Sequence, residues 1–310
     1  MPPKIRVMKY TIALIDEQNH ESLDRGLAYE KFILGPSNSS APLELQSYGV
    51  NITDHTPIAR IEPVHIHAAR DHLVLTSTEI LDLRQDEADA LFDSAKDIFE
   101  EMAVAIYRPT TSRWFIESPS LQSLSTVSTE QAQGRNIDHW MPIDTTTAGV
   151  ARQWRKWQND IQMIWFNHPV NEARASEGML AINSIWISGI GSLSRIQPNQ
   201  QLQEAKALHS TDSCLSVLAR YLNKPHISSI TNRDLPNTLS LISLNDPGIT
   251  ELWSMAGNAL INDEIKEIVL IDFPEGQERT RHISVNQFPK KGFGPWKKPV
   301  TPSLQDILRS

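Results

Sequence analysis

The segment from Gly149 to Ser188 most constrains the fold, because it joins an amphipathic helix to an almost continuously apolar strand. Helical periodicity runs over roughly 149–167. Pro169 disfavours a helical conformation at the residue before it, so the helix is not expected to continue. The apolar stripe comprises Val150, Trp154, Trp157, Ile161, Ile164 and Trp165. The following run AINSIWIS predicts a buried strand, and such a strand needs helices packed over it. The segment therefore predicts a layered α/β structure.

Periodicity elsewhere supports an α/β fold, a mixed sheet with helices packed on it. Alternating or apolar runs predict strands, and an acidic amphipathic run predicts one helix over 86–103 with Asp86 as its N-cap. The predicted strands include Tyr10–Ile15, Ile58–Ile66, His72–Thr76, Thr238–Leu244 and Glu267–Phe273, and the predicted helices include Ser213–Leu222 and Ile249–Leu260. We expect a single α/β domain over 1–289, allowing a subdivision near 118–148, and a basic flexible tail over 290–310.

Composition excludes several classes of protein. The chain has 310 residues, 40% of them hydrophobic, and carries a net charge of −8, which argues against wholesale nucleic-acid binding. A lone cysteine, Cys214, excludes an intramolecular disulfide scaffold. No apolar run has the length of a signal peptide or a membrane span, so we expect a cytoplasmic protein without membrane or nucleic-acid partners. The oligomeric state stays open.

The common catalytic motifs are missing from the sequence. It has no GxxxxGK[ST] phosphate loop, no GxSxG nucleophile elbow, no HExxH and no GxGxxG. Cys214 shares a predicted helical face with apolar residues, which favours packing over nucleophilic catalysis. This pattern favours a binding protein over an enzyme, with no cofactor required.

The densest ionisable cluster is the run EPVHIHAARDH. On a strand, His65 and His67 lie on one face, so with Asp71 they are candidate ligands for a divalent metal. Glu62 lies on the other face of such a strand. The alternative is an edge strand whose histidines form local hydrogen bonds.

A second candidate site follows the Trp-rich helix. It supplies donors, acceptors and charge beside a predicted glycine loop, GIGS, whose backbone N–H groups suit an anion. The candidate ligand-binding residues are His168, Asn171, Arg174, Asn183, Gly189 and Gly191. The alternative is that these side chains tie down loop backbone.

Several strings in this chain resemble the RpfE-type regulatory protein family of bacteria. They are PVHIHAARDHLVL, DEADALF, SRWFIESP and WQNDIQMIWFNHPVNEARASEGMLAINSIWISGIG, and they cover about 58–192. The sequence departs from the family pattern where Glu62 replaces an aspartate and where ISGIG replaces WGGG. The resemblance implies a non-catalytic regulatory protein that binds an unknown small molecule or a protein partner.

The stretch NSIWISG also looks like a segment of the archaeal-type cofactor-independent phosphoglycerate mutases, which belong to the alkaline phosphatase superfamily. That family needs a DGxxD metal motif and a following Ser or Thr nucleophile, where this chain offers only Asp16 and Ser22. The likeness implies a degenerate alkaline-phosphatase-like architecture. One alternative function is a metal-dependent phosphoryl-transfer enzyme with His65, His67 and Asp71 as its ligands, and another, independent of the likeness, is a structural subunit of an assembly.

Overall fold

The computed structural model describes residues 8–17, 24–292 and 296–309. Its strands are β1 (Lys9–Glu17), β2 (Ile58–Ala69), β3 (His72–Thr76), β4 (Ala105–Tyr107), β5 (Trp114–Glu117), β6 (Leu124–Ser125), β7 (Ile143–Asp144), β8 (Ser184–Gly191), β9 (Ala207–His209), β10 (His226–Ile227), β11 (Thr238–Ile242), β12 (Glu267–Phe273), β13 (Arg279–Ile283), β14 (Lys290–Lys291) and β15 (Lys298–Pro299). Its helices are α1 (Ala28–Leu34), α2 (Ala41–Ser47), α3 (Thr78–Leu81), α4 (Gln85–Ser94), α5 (Lys96–Met102), α6 (Thr129–Ala132), α7 (Val150–Phe166), α8 (Pro169–Ser176), α9 (Gln200–Glu204), α10 (Ser213–Tyr221), α11 (Ile249–Ile261) and α12 (Leu304–Arg309). Ser22 lies outside the described residues.

The described residues group into two compact units. Unit 1 comprises 8–17, 28–33 and 198–309 without 293–295, and unit 2 comprises 24–27 and 34–197. We expected one domain over 1–289, but this grouping divides the chain near 34 and 197, and 118–148 lies inside unit 2. The described parts of the expected tail form the antiparallel pair β14–β15 and the helix α12, whose Leu308 is buried.

Unit 1 is built on a six-stranded sheet in the order β10-β9-β11-β1-β12-β13. All neighbouring pairs are parallel except β12–β13. Its strands are apolar runs such as TLSLI and EIVLIDF, as strands buried under helices require. Trp253 and Ala256 of α11 pack with Ile12 and Leu270 in one core. The carboxyl ends of β9, β10 and β11 therefore meet at one edge of the sheet.

Unit 2 is built on an antiparallel sheet in the order β3-β2-β5-β4, in which β2 also pairs with β8. Helices α4, α5 and α7 cover one face, where Trp154, Ile161 and Trp165 pack with Ile185 and Ile187. Helix α2 contributes to a smaller core with Ile58 and Phe115. The predicted mixed-sheet α/β class is confirmed, while the alkaline-phosphatase-like architecture stays a prediction.

Three local predictions differ from the structure. The expected single helix over 86–103 breaks at Ala95, and its N-cap is Arg84 rather than Asp86 because the Glu87 carboxylate accepts the Arg84 backbone N–H. Ile164 of the expected apolar stripe is 39% exposed. Gly189 and Gly191, expected in a loop, lie within β8.

Within 8–17, 24–292 and 296–309, no helix combines the length and the apolar character that crossing a bilayer requires.

Candidate functional site

Asn171 of α8 is buried, and its side chain binds only backbone. Its Nδ2 donates to the carbonyls of Trp165 and Ile182 at 2.8 Å, and its Oδ1 accepts from the N–H of Ile182 at 2.8 Å. One carboxamide thus links the end of α7 to the chain that enters β8. This geometry fits the tethering alternative.

Arg174 is fully buried and has the same role. Its Nε donates to the Leu180 carbonyl at 2.7 Å, its Nη2 donates to the Leu81 carbonyl, and its Nη1 forms an ion pair with Glu87 at 2.8 Å. Burying this guanidinium is tolerated because each of its three nitrogens has an acceptor. Arg174 therefore joins α8 to the start of α4.

Asn183 and His168 also bind backbone. Asn183 accepts from the N–H of Ile66 and donates to its carbonyl, both at 2.8 Å, which holds the start of β8 against β2. His168 is the N-cap of α8, where Nδ1 accepts from the N–H of Val170 at 3.2 Å, and burial lowers its pKa. These contacts with backbone use polar atoms of Asn183 and His168 that were predicted to bind a ligand. Ligand binding by these residues stays a prediction.

Gly189 and Gly191 do not form the expected loop, because both lie within β8, whose eight residues are all buried. A Cβ on Gly189 would lie 2.3 Å from Ser40 Oγ and 2.9 Å from the Ala41 nitrogen, and a Cβ on Gly191 would lie 1.9 Å from Ser39 Oγ. The start of α2 thus packs directly on this strand. The glycines allow the backbone of 39–41 to approach the strand closely. Glycines are also common in loops, so the sequence did not distinguish the two cases.

The proposed metal ligands do not converge. His65 and His67 stack on one face of β2, with ring centroids 5.4 Å apart, as strand alternation predicts. His65 Nδ1, however, lies 2.8 Å from the Ala181 carbonyl, and Asp71 pairs with the neighbouring His72. Among the described residues, no group of three or more His, Cys, Asp or Glu side chains is arranged to hold a metal ion.

A buried charge network in unit 2 was not predicted from the sequence. Arg60 contacts Glu44 at 3.0 Å and Glu62 at 3.1 Å, and Arg113 pairs with the other oxygen of Glu44. Burial opposes the guanidinium charge, but the carboxylates of Glu62, Glu44 and Glu130 outweigh that effect and raise the pKa of Arg60. The network links α2, α6 and the sheet, so we interpret it as structural.

A pocket of about 240 Å³ lies in unit 1 where β9, β10 and β11 end, and we call it the edge pocket. Ligands of open α/β sheets bind at such carboxyl edges. Its walls combine hydroxyls, carboxylates, one imidazole and apolar side chains from α11. The lining residues are His209, Thr211, Ser228, Ser229, Ile230, Leu241, Ile242, Asp246, Gly248, Glu251, Leu252 and Met255.

A hydrogen-bond row crosses three adjacent strands behind the edge pocket. Tyr10 Oη on β1 lies 2.5 Å from Ser240 Oγ on β11, which lies 2.8 Å from His209 Nδ1 on β9. Ser240 and His209 are register partners in the parallel β9–β11 pair. Burial raises the pKa of Tyr10 and lowers that of His209, so both groups are neutral near pH 7.

Counting protons along this row assigns the tautomer of His209. Tyr10 is fully buried, and Ser240 is the described partner of its hydroxyl. If Tyr10 donates to Ser240, Ser240 donates to Nδ1 of His209 and no proton is left unpaired. If His209 Nδ1 donated to Ser240 instead, either the Tyr10 or the Ser240 hydroxyl proton would be buried without a described partner, at a cost of about 1–3 kcal/mol. His209 therefore carries its proton on Nε2, which the Tyr10 and Ser240 contacts leave for a ligand.

The sequence missed this pocket because its residues come from three separate strand ends. The available signal was the polar string HSTD directly after the short run AKAL, together with SS and ND at later strand ends. Only the strand order of the sheet brings these strings together.

Neither a known protein family nor a curated protein matches the sequence. Solved structures similar to the chain include two at 14% identity. A cofactor-independent phosphoglycerate mutase from Thermoplasma acidophilum DSM 1728 has a TM-score of 0.37, with 89% of this chain and 90% of that chain covered. The PH0037 protein from Pyrococcus horikoshii has a TM-score of 0.38, with 88% of this chain and 84% of that chain covered. No comparison supports the RpfE-type resemblance, which stays a prediction.

Proposed function

We propose that this protein binds a small metabolite rich in hydrogen-bond donors, such as a polyol or an amine, in the edge pocket. The observation that carries the proposal is that one cavity is lined both by an Nε2–H donor, on His209, and by the carboxylates of Asp246 and Glu251. Ionised carboxylates only accept hydrogen bonds, so they favour ligands that donate. The apolar side chains of Leu252 and Met255 would cover the carbon skeleton.

The charge of the pocket disfavours a phosphorylated ligand. Its lining, as far as the described residues go, includes two carboxylates but no lysine or arginine. Phosphate sites usually supply cations or helix N-termini to balance the ligand's charge. One oxygen of Asp246 accepts the Gly248 N–H at 2.7 Å at the start of α11, which places a carboxylate where an anion would lie.

We further propose a cytoplasmic, non-catalytic regulatory role of the RpfE type, with the bound metabolite or a protein partner as its signal. The resemblance over 58–192 supports this role, and those residues lie in unit 2. The missing catalytic motifs favour binding without turnover. Phosphoryl transfer remains an outcome of the test below.

The test is a binding measurement on the full chain with glucose, myo-inositol, putrescine and 3-phosphoglycerate as separate probes. We expect a polyol or amine to raise the free energy of unfolding by about 2.7 kcal/mol at 100 times its Kd. Glu251→Gln, at an exposed lining position, should weaken this probe at least tenfold, whereas Glu264→Gln outside the lining should not.

Two results would overturn the proposal. One is 3-phosphoglycerate binding more tightly than every polyol and amine, and the other is an unchanged affinity in Glu251→Gln. Turnover of 3-phosphoglycerate that a chelator abolishes would instead favour the metal-dependent enzyme.

A further inference from the structure

A second cavity lies in unit 2, far along the chain from the residues of the edge pocket. It has a volume of about 590 Å³ and lies between the β2–β3 hairpin, the segment 137–141 and helix α7, and we call it the α7 groove. Ser184, the first residue of β8, also lines it. Neither the proposed function nor the predicted sites use this groove.

Ser184 is the first sign that the α7 groove is a binding site. Its side chain is fully buried, yet its Oγ has no hydrogen-bond partner among the described residues. Leaving a buried hydroxyl unpaired costs about 1–3 kcal/mol, so such groups call for an explanation. A ligand group in the groove would supply the missing partner.

Three carboxamides from α7 are the second sign. Gln158 is buried, and its Nε2 donates to the Ile185 carbonyl at 2.7 Å, which orients the side chain and leaves Oε1 without a described partner. Asn159 and Gln162 line the same groove, on the neighbouring position and the next turn. A carboxamide offers an acceptor and two donors in one plane, so it matches ligands whose edge alternates donors and acceptors.

The remaining lining favours an uncharged ligand body with apolar surface. Ile66, Leu73 and Met141 provide apolar surface, and Leu73 is 40% exposed. Asp138 and Arg155 contribute opposite charges that cancel. A single arginine is a poor match for a chain of phosphates, which several cations usually bind.

We propose that the α7 groove binds the nucleobase of an uncharged nucleoside. Heteroaromatic edges with adjacent donors and acceptors pair with Asn and Gln carboxamides, as in the recognition of adenine. The ring faces contact the apolar side chains, and the ligand's polar edge satisfies Ser184 Oγ.

The experiment titrates the full chain with adenosine, guanosine, cytidine and uridine in turn, by calorimetry. We expect one nucleoside to bind and Asn159→Ala to weaken it at least tenfold, because Asn159 is exposed and its loss leaves the core intact. Lys156→Ala, an exposed position of α7 outside the lining, is the matched control and should leave the Kd unchanged.

Ser184→Ala separates binding from folding. Removing an unpaired hydroxyl should leave the free energy of unfolding unchanged or higher, while nucleoside affinity falls at least tenfold. Glu251→Gln in unit 1 should leave nucleoside affinity unchanged, so failure here is distinct from failure at the edge pocket. Absence of binding by all four nucleosides, or equal affinity in Asn159→Ala and wild type, would overturn the proposal.

Discussion

At the scale of single residues, the row of Tyr10, Ser240 and His209 shows how a distant partner determines the chemistry of a lining group. Tyr10 and Ser240 are 230 positions apart, and neither lines the edge pocket. Their hydroxyl protons nevertheless fix which nitrogen of His209 is protonated. A donor at the pocket is thus specified by residues outside it.

Substitutions in this row give the first prediction. Ser240→Ala leaves the buried Tyr10 hydroxyl unpaired, so we expect a loss of about 1–3 kcal/mol in the free energy of unfolding. Tyr10→Phe removes the hydroxyl together with its need for a partner, so we expect a smaller loss of about 0.5–1.5 kcal/mol. Denaturant unfolding checks the order of the two losses.

Nitrogen NMR of the His209 ring provides an independent check of the same assignment. The wild-type spectrum should have the pattern of an Nε2–H tautomer at pH 7, because the lowered pKa keeps the ring neutral. An Nδ1–H pattern, or a larger loss in Tyr10→Phe than in Ser240→Ala, would contradict it.

At the scale of elements, buried polar side chains join segments that the periodicity of the sequence treats as separate. Arg174 joins α8 to α4 through Glu87, and Asn171 joins α7 to the chain before β8. The sequence identified these residues as chemically unusual but did not distinguish a ligand from a backbone carbonyl as their partner. A ligand oxygen and a backbone carbonyl oxygen are equivalent acceptors for these side chains, so residue type alone does not tell them apart.

The Glu87 carboxylate gives the second prediction, because a buried and an exposed arginine share it. Arg174→Met leaves Glu87 without its buried partner and frees two backbone carbonyls, so we expect a loss of about 3–5 kcal/mol in the free energy of unfolding. Arg84→Ala removes the half-exposed partner at 2.9 Å and should cost much less, because solvent screens an exposed ion pair. Equal losses in the two variants, measured by denaturant unfolding, would contradict this difference.

Secondary structure was predicted well where local pattern decides it and poorly where packing does. Strands β3 and β12 begin and end at the expected residues, because alternation and apolar runs with clear ends are local signals. Near the break at Ala95 the Leu91 carbonyl accepts from Trp165 Nε1, and Gly189 lies within β8 with a left-handed φ of +63° against Ser40 and Ala41, so both features involve neighbours distant in sequence. The edge pocket and the α7 groove were missed for that same reason, since each combines three or more separate segments.

At the scale of the whole molecule, each compact unit has a hydrophobic core of its own. Leu270 lies fully buried in the core of unit 1, and Leu91 lies fully buried in the core of unit 2. The two leucines are a matched pair for asking how far a local loss of packing spreads.

The third prediction concerns this pair. Leu270→Ala and Leu91→Ala should each cost about 2–5 kcal/mol through lost burial and a residual cavity. Hydrogen exchange should increase mainly in 8–17, 28–33 and 198–309 for Leu270→Ala, and mainly in 34–197 for Leu91→Ala. A uniform increase over the whole chain in either variant would show that the units unfold together.

The tryptophans, which dominate the fluorescence of the protein, are distributed unevenly between the two units. Six of the eight lie in unit 2, all of them buried, at positions 114, 140, 154, 157, 165 and 186. Unit 1 holds only Trp253, which is buried, and Trp296, which is 81% exposed and already surrounded by solvent. Light emitted by tryptophan therefore reports mostly on one half of the chain, and a melting curve recorded by fluorescence would largely overlook the half that contains the edge pocket.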